Sequence, residues 1–319
     1  MKILLTNDDG YRAGGLLALA EILRPYGDLT VVAPKYIQSA TSMAVTMGYR
    51  PIAVKRLPSA PCRPAGKAAS AAEGEKESPA SSLAEGLVTS RTESPAEEHS
   101  ESWWYVDGSP ASCVKFALTE IYGEDRPDIV VSGINHGGNY ATAALYSGTL
   151  GAAAEAALVR IPAIGVSIDD PGSDPDFSVV KAIFPGIFGL LARNPAPGFG
   201  IYYNINFPAV PPGAVRGVKV AEQGIIRWVR EFSLYDYGML ERRGIDPSDI
   251  GLLMPRLEEG ETPYLMTGEV THDPGNTPEC DVNLIARDYV TVTAHNLMNV
   301  DAAESERLRA IGLEMSGSF

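Results

Sequence analysis

Short runs that are apolar at successive positions alternate along this chain with longer runs that are apolar at helical spacing. Residues 2–6 (KILLT) read as a strand buried on both faces, and residues 16–23 as an amphipathic helix that ends near Pro25 and Gly27. Residues 29–33 repeat the strand pattern. Beyond residue 102 the rhythm resumes, with a helix at 110–122 capped by Ser109, a strand at 128–132 and a small-residue helix at 146–159. A strand at 163–168, a helix at 176–191 and a strand at 201–207 follow. Doubly buried strands separated by helices predict an α/β fold, a mostly parallel Rossmann-like sheet layered by helices. From about residue 210 the rhythm breaks into Pro- and Gly-punctuated β-like pieces at 215–220 and 289–293, and a last helix at 302–314. The expected division is an α/β catalytic core over 1–209 and a C-terminal extension or oligomerisation arm over 210–319, β-rich with a final helix.

Residues 59–102 interrupt this pattern. They contain nine Ser, nine Ala, eight Glu and four Pro with no aromatic side chain, too little apolar surface to offset an ordering entropy of roughly 1–2 kcal/mol per residue. A low-complexity, disordered surface insertion is expected there.

Charge narrows the function classes. The 26 Lys and Arg against 40 Asp and Glu give a net charge of −14, which excludes a diffuse basic surface for nucleic acid. The cysteines (Cys62, Cys113, Cys280) and histidines (His99, His136, His272, His295) form no CxxC or HExxH pattern, so a zinc ribbon or dense disulfide framework is excluded. The apolar run at residues 3–5 is too short for a signal peptide, and residues 150–166 are broken by Glu155, Arg160 and Pro162. A cytoplasmic protein without membrane attachment is expected.

Ligands of open parallel sheets bind beyond the carboxyl ends of the strands. Asp8 and Asp9 follow the first strand, Gln38 and Ser39 the second, and the loop of 132–139 (SGINHGGN) a later one. Adjacent carboxylates repel, and a hard divalent cation is the usual means of keeping both ionised; an Asp before a helix can equally serve as its cap. Asn135 adds a neutral oxygen. The stretch 146–149 (YSGT) opens a helix, where hydroxyls and free N–H groups cradle an anion or simply cap the helix. Together these supply a cation site and an oxyanion cradle, the combination that phosphoryl chemistry needs.

These residues resemble the SurE survival-protein family. The likeness lies in ILLTNDDGYRAGGLLALAEIL, VVAP with Ser39 five residues after Pro34, VDGSPASCV, DIVVSGINHGGN and LYSGTLGAAAEA, and more loosely in YNINFP and Asp281. It runs in order through residues 1–58 and 103–168. The resemblance implies a metal-dependent nucleotidase, hydrolysing nucleoside 5′-monophosphates, with the 3′-isomers left open. One Mg²⁺ or Mn²⁺ per subunit would be held by Asp8, Asp9, Ser39 and Asn135, and Asp8, Asp9 and Asn135 would serve catalysis. Asn139, Ser147, Gly148 and Thr149 would bind the substrate phosphate. It also implies a homodimer or homotetramer joined through the C-terminal arm. One departure is Ala40, where the family commonly has glycine.

His272 is a candidate general acid if the arm folds over the site, and His136 a residue that shapes its loop. Tyr49, Trp228 and Tyr264 are candidates for stacking on a base. A haloacid-dehalogenase-type phosphatase would need a DxD pattern, and a zinc deacetylase histidine ligands near Asp8; neither is present. The alternative is a non-catalytic nucleotide-sensing or partner-binding protein with the same pocket.

Overall fold

Strand β1 (Lys2–Thr6) divides its side chains between two cores, which is why its sequence is continuously apolar. Ile3 and Leu5 enter one core and Leu4 the other. Strands β2 (Asp28–Pro34) and β5 (Ile129–His136) do the same, with Val31 and Val131 on the first side and Val32 and Val130 on the second. The computed structural model describes residues 1–48, 50–62, 99–172, 174–235, 238, 257–266 and 268–311.

The main sheet has nine strands in the order β3-β4-β2-β1-β5-β6-β7-β13-β8, where β3 is Val54–Leu57, β4 Glu101–Val106, β6 Ala163–Ile168, β7 Ile201–Phe207, β8 Gly217–Val220 and β13 Tyr289–Asn296. The pairs from β4 through β2, β1, β5 and β6 to β7 are parallel, while β3 and β13 run antiparallel to β4 and β7. The chain steps from β1 to β2 and β4 on one side, then returns to β5 on the other. The order therefore reverses between β1 and β5, and a ligand crevice is expected above that point.

Helices α1 (Gly14–Leu23) and α4 (Ser178–Arg193) cover the first face, and α2 (Pro110–Phe116) and α3 (Gly148–Leu158) the second. Helix α3 is rich in alanine because it packs close to the sheet: Ala152, Ala153 and Ala156 are buried against Leu4 and Val130. Helix α1 approaches β5 so tightly that a Cβ on Gly15 would fall 2.1 Å from the Ile134 carbonyl oxygen. The α2 run begins at Pro110 behind a Ser109 cap whose hydroxyl accepts from the Ser112 N–H, and residues 117–122 continue as a wider π-helical stretch.

Two small antiparallel ribbons lie beyond the sheet, β9 (Ile226–Val229) with β12 (Glu269–His272), and β10 (Phe232–Leu234) with β11 (Tyr264–Met266). Helices α5 (Asp281–Ile285) and α6 (Ala302–Ala310) flank β13 in the chain. Strands β8 and β13 belong to the main sheet, so the region after residue 210 extends it as well as carrying the ribbons. Among the described residues no helix is long and apolar enough to cross a membrane.

The expectation of disorder over 59–102 does not hold at the end of that range. Its last two residues, Glu101 and Ser102, already belong to β4 and pair with Leu29 and Thr30 of β2. Ser100 donates to Asp28 from both its N–H and its hydroxyl, at 2.8 Å each, which fixes the chain before the strand begins. Residues 63–98 lie outside the described residues. Strands β3 and β4 were absent from the sequence-based expectation, because the Glu and Ser that open β4 resemble the composition preceding them.

Candidate functional site

The turn after β1 aims two carboxylates in different directions. The Asn7 side-chain amide donates to the Gly10 carbonyl at 3.0 Å, and Gly10 adopts φ +97°, a left-handed conformation that glycine tolerates without strain. Asp8, only 4% exposed, points toward the start of α3, where the Thr149 hydroxyl donates to its Oδ1 at 2.5 Å. Asp9 points toward the end of β5, and its Oδ2 accepts from the His136 N–H at 3.2 Å. Burial raises both carboxyls above the ordinary range, Asp8 to about 7 with the Asp9 charge adding to the effect, and Asp9 to about 6.

The second strand brings in the loop 35–42. The Gln38 N–H donates to the Asp8 carbonyl at 2.7 Å, the Thr41 hydroxyl to the Gln38 carbonyl at 2.8 Å, and the Ser42 N–H to the Tyr146 carbonyl at 3.0 Å. Ser39 is thus carried between two anchors that touch the Asp8 turn and the approach to α3, with its own side chain exposed. Ala40, the residue after it, has φ +59°, the left-handed conformation in which glycine is favoured.

Asn135, at the end of β5, gives its side-chain N–H to the Gly137 carbonyl at 2.7 Å, which fixes the rotamer of its amide. Asn139 is nearly buried; its side-chain N–H goes to the Ser167 hydroxyl at 2.9 Å, and its backbone is tied to β7. Ser147 caps α3, its hydroxyl oxygen accepting from the Leu150 N–H at 3.1 Å, which leaves its O–H proton to donate elsewhere. Gly148 gives Asp8 room: a Cβ there would lie 2.9 Å from the Asp8 Cβ and 3.0 Å from its Oδ2.

Asp8, Asp9, Asn135 and the α3 start are therefore gathered at the reversal between β1 and β5. Thr149 sits differently from a direct phosphate contact, because its hydroxyl is fully buried and directed at Asp8. His272 is exposed on β12, opposite Ile226. His136 holds the Asp9 carboxylate through its backbone N–H, in line with a loop-shaping role. Trp228 packs edge-on against Tyr146, ring centroids 5.8 Å apart, while Tyr264 is exposed on β11. Tyr49 lies outside the described residues. Sequence reasoning missed Ser167, Asn204 and Asn206 as support for Asn139. The signal available was a strand carrying asparagine at alternate positions where apolar residues are the norm.

The donor set suits a hard divalent cation. Two carboxylates, an amide and a hydroxyl are all oxygen ligands, and a cation would relieve the burial penalty that raises Asp8 and Asp9. Among the described residues no group of three or more His, Cys, Asp and Glu side chains is placed to hold a metal, so only a mixed set that includes Asn or Ser is open to one here.

The fold and site define an α/β protein with a paired-carboxylate centre and a helix N-terminus at the switch point of a mostly parallel sheet. The family model described as "Survival protein SurE" matches residues 3–230, and the chain belongs to the SurE family. It is 32% identical over 309 residues to 5′-nucleotidase SurE of Syntrophobacter fumaroxidans, covering 96% of this chain and 98% of that one. It is 36% identical over 230 residues to 5′-nucleotidase SurE of Cytophaga hutchinsonii, covering 72% and 73%. The SurE protein of Aquifex aeolicus shares the fold, with a TM-score of 0.65 at 23% identity over 97% of this chain and 98% of that structure.

Proposed function

We propose that this protein is a divalent-metal-dependent phosphatase that hydrolyses nucleoside 5′-monophosphates to nucleoside and phosphate, with the 3′-isomers as a further substrate class to be tested. The observation that carries the reading is the juxtaposition of Asp8 with the start of α3, where Thr149 bonds the carboxylate and Ser147 caps the helix. The helix end attracts a phosphate while the carboxylate pair repels it, so the two can share one phosphate only with a cation between them.

Asp8, Asp9, Ser39 and Asn135 would hold one Mg²⁺ or Mn²⁺ per subunit. When bound, such an ion supplies an acidified water and neutralises charge on the phosphoryl oxygens. The free N–H groups at Gly148 and Thr149 and the Ser147 hydroxyl proton would donate to those oxygens, and Asn139 would fix their orientation. Asp8 and Asp9 serve catalysis by holding the ion, and Asn135 by completing its oxygen ligands. The substrate is a small nucleotide and not a nucleic-acid scaffold, in keeping with the −14 charge. The exposed apolar side chains Phe232, Leu234, Tyr264 and Met266 on the β10–β11 ribbon support a homodimer or homotetramer formed through the C-terminal arm. The three free cysteines support action in the cytoplasm.

The test is phosphate release from a panel of nucleoside monophosphates with Mn²⁺ or Mg²⁺, repeated with EDTA and with Asp8→Asn and Asn135→Ala proteins. Chelator-sensitive turnover lost in both variants supports the reading. A folded, metal-loaded protein that releases no phosphate sinks it.

A further inference from the structure

The segment 139–142 joins the two halves of the candidate site, with Asn135 before it and Ser147 after it, and side chains from distant parts of the chain hold its backbone. The Asn139 N–H donates to Asn206 Oδ1 at 2.7 Å, its carbonyl accepts from Asn204 Nδ2 at 2.7 Å, and its side-chain amide donates to Ser167 Oγ at 2.9 Å. Asn206 in turn donates to Asn204 Oδ1 at 3.1 Å, so the two asparagines brace each other. Two residues on, Ala141 stands at φ +52°; its N–H donates to Asp281 Oδ2 at 2.8 Å and its carbonyl accepts from Gln223 Nε2 at 3.2 Å.

The positions are unusual for what they bury. Ser167, Asn204 and Asn206 are fully enclosed and lie on one face of β6 and β7, with Ser167 paired to Asn206 in register. Burying an amide costs free energy that its hydrogen bonds only return, and an apolar residue of similar size is as good for stability alone. The register partners of Asn206 and Asn204 on β13 are Thr291 and Thr293, whose buried hydroxyls make no hydrogen bond. This face is polar beyond what its own bonding requires. What the asparagines do satisfy is the backbone of Asn139, while Ser167 takes its side-chain amide.

We propose that Ser167, Asn204 and Asn206 are positioning residues that set the Asn139 corner for the substrate phosphate, acting through Asn139 without touching the substrate. The inference rests on the phosphatase reading above. Rotamer and backbone of Asn139 are both fixed before substrate arrives, so its second amide proton is presented in one direction. Preorganised donors of this kind stabilise developing charge without reorganising during the reaction.

The experiment compares wild type with Ser167→Ala, Asn206→Leu and Asn206→Asp. Three readouts are taken: Mn²⁺ binding by calorimetry, inorganic phosphate binding to the Mn²⁺-loaded protein, and KM and kcat for a nucleoside monophosphate. Hydrogen exchange of the peptide spanning residues 137–146 is followed by mass spectrometry. Expected are a rise of tenfold or more in both the phosphate dissociation constant and KM for Ser167→Ala and Asn206→Leu. Mn²⁺ affinity stays within twofold, and faster exchange is confined to that peptide. Asn206→Asp, whose protonated carboxyl mimics the amide, recovers phosphate affinity as the pH is lowered. Unchanged phosphate affinity in folded Ser167→Ala, or Mn²⁺ affinity falling in parallel with it, overturns the proposal. If Asn206→Leu does not fold, Ser167→Ala, which removes one hydroxyl, decides alone. A wild type that neither binds phosphate nor releases it defeats the phosphatase reading instead, so the two failures are distinct.

Discussion

The Thr149 hydroxyl donates a 2.5 Å hydrogen bond to Asp8 Oδ1 across 141 positions of sequence, which ties the first turn of α3 to the turn after β1. The bond occupies one carboxylate oxygen and leaves Oδ2 toward the space that Gly148 keeps open.

Removing that donor tests whether it prepares the carboxylate for a cation. A hydrogen bond to a charged group contributes about 1.5–3 kcal/mol, and about 1.4 kcal/mol is tenfold in affinity. Thr149→Val keeps the shape and removes the hydroxyl; Thr149→Ser keeps the hydroxyl. Calorimetry is expected to show Mn²⁺ affinity about tenfold lower or worse in the valine protein and near wild type in the serine protein. Equal affinity in all three would show that the bond has no such role.

The carboxylate pair also predicts how metal-free stability depends on pH. Burial raises both groups above their unfolded value of 3.8, so the protonated forms are favoured in the folded state. Their stabilising contribution is fully present below the unfolded value and is lost as pH rises through about 6 and about 7. In EDTA, the melting temperature of wild type relative to Asp8→Asn should therefore fall from about pH 4 to about pH 8. Added Mn²⁺ should restore wild type most at the upper end, where the ionised pair binds it, and should do little for Asp8→Asn. A difference between the two proteins that does not vary with pH would contradict the burial argument.

How much of this was legible in the sequence differs from element to element. Strands β1 and β5 each carry a run of three successive apolar residues, at 3–5 and 129–131, and a strand buried on both faces is the main use for such a run. The positions of Asp8, Asp9 and Asn135 followed from strand ends, because parallel sheets place their sites there. Strand β4 was hidden, since its opening Glu101 and Ser102 match the composition before them and leave only Trp103 to Val106 as an apolar run. Thr149 was legible as a hydroxyl at a helix start. Its direction was not, because that depends on how α3 docks against a turn at the other end of the core. The clamp of Asn204 and Asn206 on Asn139 is likewise tertiary. Their alternation marks one face of a strand, but the partner is set by the strand order.

Ala40 offers a test of local backbone strain. A Cβ in the left-handed conformation costs roughly 1–2 kcal/mol, while glycine loses about 0.4–1 kcal/mol through its freer unfolded chain. With φ at +59°, Ala40→Gly should stabilise the protein modestly, by about 0.5–1 kcal/mol. Ala40→Val, branched at Cβ, should destabilise it by more than about 1 kcal/mol. Urea unfolding in EDTA measures both without interference from metal. A destabilising glycine would mean that the loop from Gln38 to Ser42 is strained elsewhere.

Gly148 and Gly123 separate site geometry from stability. A Cβ on Gly148 would stand 2.9 Å from both the Asp8 Cβ and Thr41 Oγ1, so Gly148→Ala must displace the carboxylate or the loop that carries Ser39. The site then loses its arrangement while α3 keeps its register and its core contacts. Gly123 has φ +58° and nothing within 4 Å of its would-be Cβ, so Gly123→Ala meets backbone strain alone. Mn²⁺ affinity and phosphate release should drop by about tenfold or more in Gly148→Ala, with a small change in unfolding free energy. Gly123→Ala, at φ +58° and ψ −121°, should lose about 1–3 kcal/mol of stability and retain both activities. Denaturant unfolding and calorimetry on the same two proteins decide the matter. If Gly148→Ala bound Mn²⁺ as wild type does, the space beside Asp8 Oδ2 would not be where the cation sits.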